Sequence, residues 1–303
     1  MRKNLFISGA LGQDGSILNN LLKKNKNLKI INVLGIKNKS QKIPNAYYVD
    51  LQKKKRIDRL FSNVKPDVVL HLGSKNPSYS ENSYNKFFKY NLISTKNLFF
   101  SAFENNKNAK FIFCNSSQIF KKKYGIVNEK SKFSVNSDYT RFRINAHHEM
   151  LKYKIKNNIK YTNVILFNHD SKYRNKKFIL PRIMIGIKNK KNDFIQEIIN
   201  QNISADFSHA EDICNGLGRI ILSNKNLDNI ILSSGRATKL NDILKYILKK
   251  NKITHNFNFK TKRKTKCLIG KNKFAISQIN WKPKKNIFIA ADEMLKFYLK
   301  NGK

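Results

Sequence analysis

The sequence predicts an α/β fold, a doubly wound parallel sheet with helices on both faces and a smaller C-terminal lobe. Three observations carry this. Short β-rich runs alternate with segments of helical spacing through the first half of the 303-residue chain. The β-rich runs are continuously apolar instead of alternating, as befits strands buried on both faces. The first run ends in a glycine-rich turn that leads straight into a helix.

Taken in order, the strands are NLFIS (Asn4 to Ser8), KIINVL (Lys29 to Leu34), AYYV (Ala46 to Val49), DVVLHL (Asp67 to Leu72), KFIFCN (Lys110 to Asn115) and YTNVILF (Tyr161 to Phe167). Helical spacing runs from Ser16 to Asn25, Lys53 to Asn63, Ser83 to Asn105 and Asp138 to Asn157. Beyond Asn168 come a polar stretch, a helix around Glu211 to Leu222, a strand around Asn229 to Ser233, a further helix and the basic run KTKRKTK, Lys260 to Lys266. No internal repeat or Pro/Gly-rich linker separates the halves. The expected organisation is a dinucleotide-binding core over residues 1–168, to which 205–235 return, and a substrate-binding lobe from 169–204 and 236–303.

The net charge of +42 points at first to nucleic acid or an anionic membrane. Of the 61 basic residues only ten are arginines, and the lysines come with abundant asparagine and isoleucine along the whole length. That pattern is compositional bias; nucleic-acid readers cluster arginine with aromatics. Neither a specific nucleic-acid partner nor a membrane is expected. Cys114, Cys214 and Cys267 are far apart and form no CxxC pair, which fits a reducing compartment. No signal-peptide pattern or membrane-length apolar run is present, so a cytoplasmic protein is expected.

The turn SGALGQDGS, Ser8 to Ser16, sets Gly9, Gly12 and Gly15 at GxxGxxG spacing between strand and helix. Such a turn lets backbone amides and a helix N-terminus approach a pyrophosphate, which side chains at those positions would block. Where an NAD site carries an acid at the end of the second strand, this chain reads GIKNKS, with Lys37 and no acid. A cation suits a 2′-phosphate, so NADP is expected, with NAD the alternative.

SDYTRFRIN places Tyr139 and Arg143 four residues apart at a predicted helix start, one turn apart on one face. His147, His148 and Glu149 follow, but adjacent helical residues diverge by about 100° and no second ligand cluster accompanies them, so no metal is expected.

With these motifs in place, the chain resembles the extended short-chain dehydrogenase/reductases, and within them the GDP-mannose 4,6-dehydratases. The resemblance rests on GALGQDGS, VDLQ at Val49, VKPDVVLHLGS at Val64, ILFNHDS at Ile165, ADFSHAEDI at Ala205 and LIGKNKFAISQINWKP at Leu268, in order from residue 4 to about residue 283. It implies a Rossmann fold, a dinucleotide cofactor and a nucleotide-linked hexose, GDP-hexose first, in a homo-oligomer. The implied reaction is oxidation at C4, loss of water across C5 and C6, and reduction at C6. The resemblance puts Tyr139 on the catalytic tyrosine, Ser116 on the catalytic hydroxyl, Arg143 where the family has lysine and Gln118 where it has the glutamate that works at C5.

It further implies cofactor contacts from Gly9, Gly12, Gln13, Asp14, Gly15, Lys37, Asp50, Leu51 and Asn91. Substrate contacts are implied for Asn168, Arg174 and Arg263, and His209 matches a position that orients the cofactor-side loop. Ala205 replaces a family arginine. Arginine keeps the lysine's charge but is planar and permanently protonated. Glutamine cannot accept the C5 proton. Two alternatives to the dehydratase therefore stand: a C4 oxidoreductase or epimerase on a nucleotide sugar, and a catalytically silent dinucleotide-binding relative.

Overall fold

A computed structural model describes residues 2–36, 46–75, 84–260 and 265–300. The first half runs β1 (Lys3–Ser8), α1 (Gln13–Leu22), β2 (Leu28–Leu34), β3 (Ala46–Tyr48), α2 (Lys54–Val64), β4 (Val68–His71), α3 (Tyr84–Asn105), β5 (Lys110–Ser116), β6 (Gly125–Val127), α4 (Asp138–Asn157) and β7 (Lys160–Leu166). Then come β8 (Asn168–Asp170), α5 (Ile179–Lys188), α6 (Asn192–Gln201), β9 (Ser204–Ala205), β10 (Phe207–His209), α7 (Ala210–Leu222) and β11 (Asn229–Leu232). The chain closes with β12 (Thr238–Lys239), α8 (Leu240–Lys250), β13 (Leu268–Gly270), α9 (Lys273–Ile279) and α10 (Ile287–Lys300). It divides into two compact units: Met1–Lys121, Lys132–Ile165 and Cys214–Ile230 in the first, and Lys122–Ser131, Leu166–Ile213 and Ile231–Lys303 in the second.

The first unit is built on a sheet of order β11-β7-β5-β4-β1-β2-β3. β1 lies parallel to both β2 and β4, as do β2 with β3 and β4 with β5. At the other edge the Asn163 N–H donates to the Asp228 carbonyl and the Phe167 N–H to that of Leu232, equal steps along both strands and so parallel again. Strand side chains alternate between faces. Phe6, Ile31, Val33, Val69, Phe111, Phe113 and Tyr161 pack with α2, α3 and α4 in one buried cluster centred on Phe99. Leu5, Ile7, Leu70 and Ile112, one step along, are buried too, but outside that cluster. On that face α7 meets α1, with Gly218 lying against Leu22 and the Cys214 thiol donating to the Asp14 carbonyl. The layers are those of a doubly wound fold.

Lys110 at the start of β5 is buried, yet its ammonium donates to the carbonyls of Ile220, Ser223 and Lys225 at the end of α7. It thereby satisfies acceptors that a helix C-terminus leaves open.

The second unit packs α5, α6, α8 and α10 around Leu180, Ile183, Met184, Ile198, Leu244, Ile247 and Met294. The polar stretch expected after Asn168 contains two helices. α5 admits Pro181 because it falls in the first turn, where no intrahelical donor is lost. α6 buries Ile195, Ile198 and Ile199 on one face of an otherwise polar segment. Asp206 ties the unit's loops together. Its carboxylate accepts the Ser234 N–H and hydroxyl, the Gly235 N–H and the Gly270 N–H. Burial raises the Asp206 pKa while these donors oppose the shift. Among the described residues, no helix is long and apolar enough to cross a membrane.

Candidate active site

Ligands of open α/β sheets bind beyond the carboxyl ends of the strands. In the first unit that edge gathers the glycine turn after β1, Gly73 after β4 and Ser116 at the end of β5.

The glycine turn has two constraints that exclude side chains. Gly9 sits at φ +77°, and a Cβ there would come within 2.8 Å of the Gly73 nitrogen, so the β1 and β4 turns meet backbone to backbone. A Cβ on Gly15 would lie 2.5 Å from the Ala10 backbone, which is how close α1 returns to the turn. α1 starts after Gly12 with no side chain capping its first amides. Those amides are the donors a pyrophosphate takes up. Gln13 is buried and Asp14 is half-buried in this first turn.

The Tyr139 helix starts where it does because of a capping box. The Thr140 N–H donates to the Ser137 hydroxyl and the Ser137 N–H donates back to the Thr140 hydroxyl oxygen. Tyr139 is thereby fixed in the first turn, half-buried. One turn on, the Arg143 guanidinium lies with its carbon 4.5 Å from the Tyr139 ring centroid. Its Nη1 donates to the Cys114 carbonyl at 2.7 Å, two residues before Ser116 on β5. Arg143 is 5% exposed, and its buried Nε has no hydrogen-bond partner.

The half-buried Ser116 hydroxyl accepts the Gln118 N–H at 3.3 Å, across a short 3₁₀ turn over Ser117–Ile119 against which α4 packs. The Gln118 side chain is exposed. Behind Ser116, Asn115 accepts the Ser116 N–H and donates to Asn163, which donates to Asn229, an amide chain across β5, β7 and β11.

Asn91 is buried, and its amide both accepts the Lys75 N–H and donates to the Lys75 carbonyl, fastening the segment after β4. Asp50 makes an Asx turn with the Gln52 N–H, and the Leu51 carbonyl accepts from Asn97. In the second unit, Asn168 is exposed on β8. Arg174 is ion-paired with the buried Asp170 at 3.2 Å and stacks 3.6 Å from the Phe178 centroid. His209 accepts the Glu211 N–H on Nδ1 and lies 3.6 Å from Glu293. Ala205 is half-buried on β9. Lys37 and Arg263 lie outside the described residues. Among the described residues no group of three or more His, Cys, Asp or Glu side chains is arranged to hold a metal.

Reading the sequence missed Ser8, His71 and Gly73, which lie behind the glycine turn. The Ser8 hydroxyl is 2.7 Å from His71 Nδ1, and His71 Nε2 is 2.8 Å from the Thr95 hydroxyl. Burial, with the charge of Arg143 second, pushes the His71 pKa down to about 3. A histidine inside the apolar run DVVLHL was the available signal, since a buried polar side chain needs partners.

Glycine turn and sheet order together define a doubly wound Rossmann fold. The chain belongs to the GDP-mannose 4,6 dehydratase family, whose model matches residues 6–294. It is 24% identical over 287 residues to a GDP-mannose 4,6-dehydratase of Vibrio cholerae, a match covering 85% of this chain and 74% of the relative. A second GDP-mannose 4,6-dehydratase, from the El Tor Inaba N16961 strain of Vibrio cholerae serotype O1, is 27% identical over 241 residues, 70% of this chain and 62% of that one.

Among solved structures, RMD from Pseudomonas aeruginosa complexed with NADPH superposes with a TM-score of 0.81 at 17% identity, covering 99% of this chain and all (100%) of the other. dTDP-glucose 4,6-dehydratase from Bacillus anthracis in complex with NAD gives 0.80 at 15%, with 99% and 97% covered. UDP-glucose 4-epimerase from Thermotoga maritima gives 0.81 at 17%, with 99% and 100% covered. These structural likenesses bear on the fold.

Proposed function

We propose that this chain is an NADP-dependent enzyme acting on a nucleotide-linked hexose in the manner of a GDP-mannose 4,6-dehydratase, with NAD as the alternative cofactor. The observation that carries this reading is Tyr139 with the Arg143 guanidinium on its ring, at the strand edge that also bears the glycine turn. In this reading Gly9, Gly12, Gly15 and the first amides of α1, with Gln13 and Asp14, hold the pyrophosphate. Asp50 and Leu51 border the adenosine, Lys37 serves the 2′-phosphate of NADP, and Asn91 fixes the backbone after β4. When bound, the dinucleotide supplies reversible hydride exchange with the sugar.

The chain's own groups then divide the proton work. Tyr139 takes the proton of the C4 hydroxyl, and Ser116 hydrogen-bonds the same oxygen. The Arg143 guanidinium rests on the ring and holds it in place. Gln118 holds its position with a neutral amide, which orients but cannot accept the C5 proton, so in this reading that proton leaves to solvent water at the exposed Gln118. Asn168, Arg174 and Arg263 serve the substrate side. The family reading also makes the protein a cytoplasmic homo-oligomer.

Gln118 favours a second reading, a C4 oxidoreductase or epimerase on a nucleotide sugar, which needs Tyr139 and Ser116 but no base at C5. Incubation of purified protein with GDP-mannose and NADP separates the two. The expected product is the 4-keto-6-deoxy sugar nucleotide. Unreacted GDP-mannose with dinucleotide bound overturns the dehydratase, and inversion at C4 of a nucleotide hexose establishes the second reading.

A further inference from the structure

Ser8, His71 and Thr95 form a line of three buried side chains joining the end of β1, the end of β4 and α3. The direction of the hydrogen bonds follows from the donors. The Gly73 N–H donates to the Ser8 oxygen at 3.3 Å. The Ser8 hydroxyl hydrogen, fully buried, needs an acceptor, and His71 Nδ1 stands 2.7 Å away. Nδ1 therefore accepts, the ring proton lies on Nε2, and Nε2 donates to Thr95. The ring is stacked on Phe113 at 6.0 Å and 20° and lies 6.3 Å from Phe111, so it cannot swing away.

The outer end of this line is the Gly9–Gly73 contact, where a single added carbon would clash. Two turns that close have no slack, so what fastens Ser8 to the β4 end, the backbone pair with Leu72 and the side-chain line through His71, fixes their spacing. We infer that His71 is a positioning residue for the glycine turn: by accepting the Ser8 hydroxyl hydrogen bond it adds a side-chain tie to the β1–β4 ladder and sets the Gly9 backbone that receives the dinucleotide. This rests on the dinucleotide reading above.

The geometry supplies its own test. Asparagine carries its terminal polar atoms two bonds beyond Cβ, as Nδ1 is placed, and glutamine three bonds beyond, as Nε2 is placed. NADPH titration by fluorescence, with a thermal melt of each protein, is run on wild type, Ser8→Ala, His71→Asn and His71→Gln. Ser8→Ala removes one oxygen and leaves the ring packed, so it remains informative if a His71 variant fails to fold. Ser8→Ala and His71→Gln are expected to weaken NADPH binding about tenfold, the worth of one buried hydrogen bond, while His71→Asn stays near wild type. Equal affinity in Ser8→Ala and wild type overturns the inference, as does an equal loss in His71→Asn and His71→Gln, which would assign the effect to ring packing. Wild-type protein that binds neither NADPH nor NADH overturns the dinucleotide reading and this inference with it.

Discussion

The glycine turn and the Tyr139 helix share one edge of the first unit but are constrained in different ways. The turn is fixed by backbone against backbone: Gly9 on Gly73, Gly15 on Ala10. The helix start is fixed by side chains: Ser137 and Thr140 cap it, and Arg143 spans from Tyr139 to the Cys114 carbonyl. Backbone contacts tolerate almost no residue change, so the turn keeps its glycines. Side-chain contacts can be met by more than one residue type, and it is there, at Arg143, that the resemblance would place a lysine.

The largest effect should come from Tyr139, the acid/base of the proposed function. Tyr139→Phe leaves the ring and its guanidinium contact in place but removes the hydroxyl that would carry the proton. Turnover should fall about 10²- to 10⁴-fold with NADPH affinity unchanged. A steady-state assay with a parallel NADPH titration checks this, and a variant as fast as wild type would remove Tyr139 from the chemistry. Gly15→Val should do the opposite. Overpacking against Ala10 should cost about 1–3 kcal/mol, read as a lower Tm and weaker NADPH binding. Full affinity in Gly15→Val would mean that the turn relaxes without consequence.

A third expectation concerns acid. Burial drives His71 to about 3 and His147, which is hydrogen-bonded to the Tyr161 hydroxyl, to about 4. Both lie below the ~6.5 of an unfolded histidine, so between these values the unfolded chain binds more protons than the folded one. Stability contributed by the neutral rings is therefore present above pH ~6.5 and lost as pH falls, with a slope approaching about 1.4 kcal/mol per pH unit for each histidine. Urea unfolding between pH 7 and pH 5 measures the slope, and His147→Asn should reduce it. A flat profile would show that neither ring stays neutral for structural reasons.

The same contrast explains what could be read from the sequence. Long apolar runs and the glycine trio are local signals, so the sheet strands, the turn and the tyrosine helix were all legible. Strands β6, β8, β9, β10, β12 and β13 hold two or three residues each, too few for periodicity to register. α6 was hidden because three isoleucines sit in a polar, asparagine-rich segment. The roles of Ser8 and His71 depend on a partner 63 positions away, and Asn91 spends its amide on the Lys75 backbone, a pairing with no sequence signature.

The smallest expected effect probes the point where the two regions differ most. Lysine at position 143 would supply the residue that the resemblance implies, but the surroundings are shaped for a guanidinium. One nitrogen is committed to Cys114, the planar group rests on Tyr139, and Phe113 and Phe142 lie within 6.0 Å and 5.5 Å of its carbon. An ammonium can keep the bond to Cys114 and the charge near the phenol, but it loses the flat contact with the ring. Arg143→Lys should therefore cost about 1 kcal/mol of stability and change turnover only a few-fold. A large gain in turnover would instead mean that Arg143 is a lesion in an otherwise intact lysine site. A large loss with the fold intact would mean that the ring contact is what makes Tyr139 reactive.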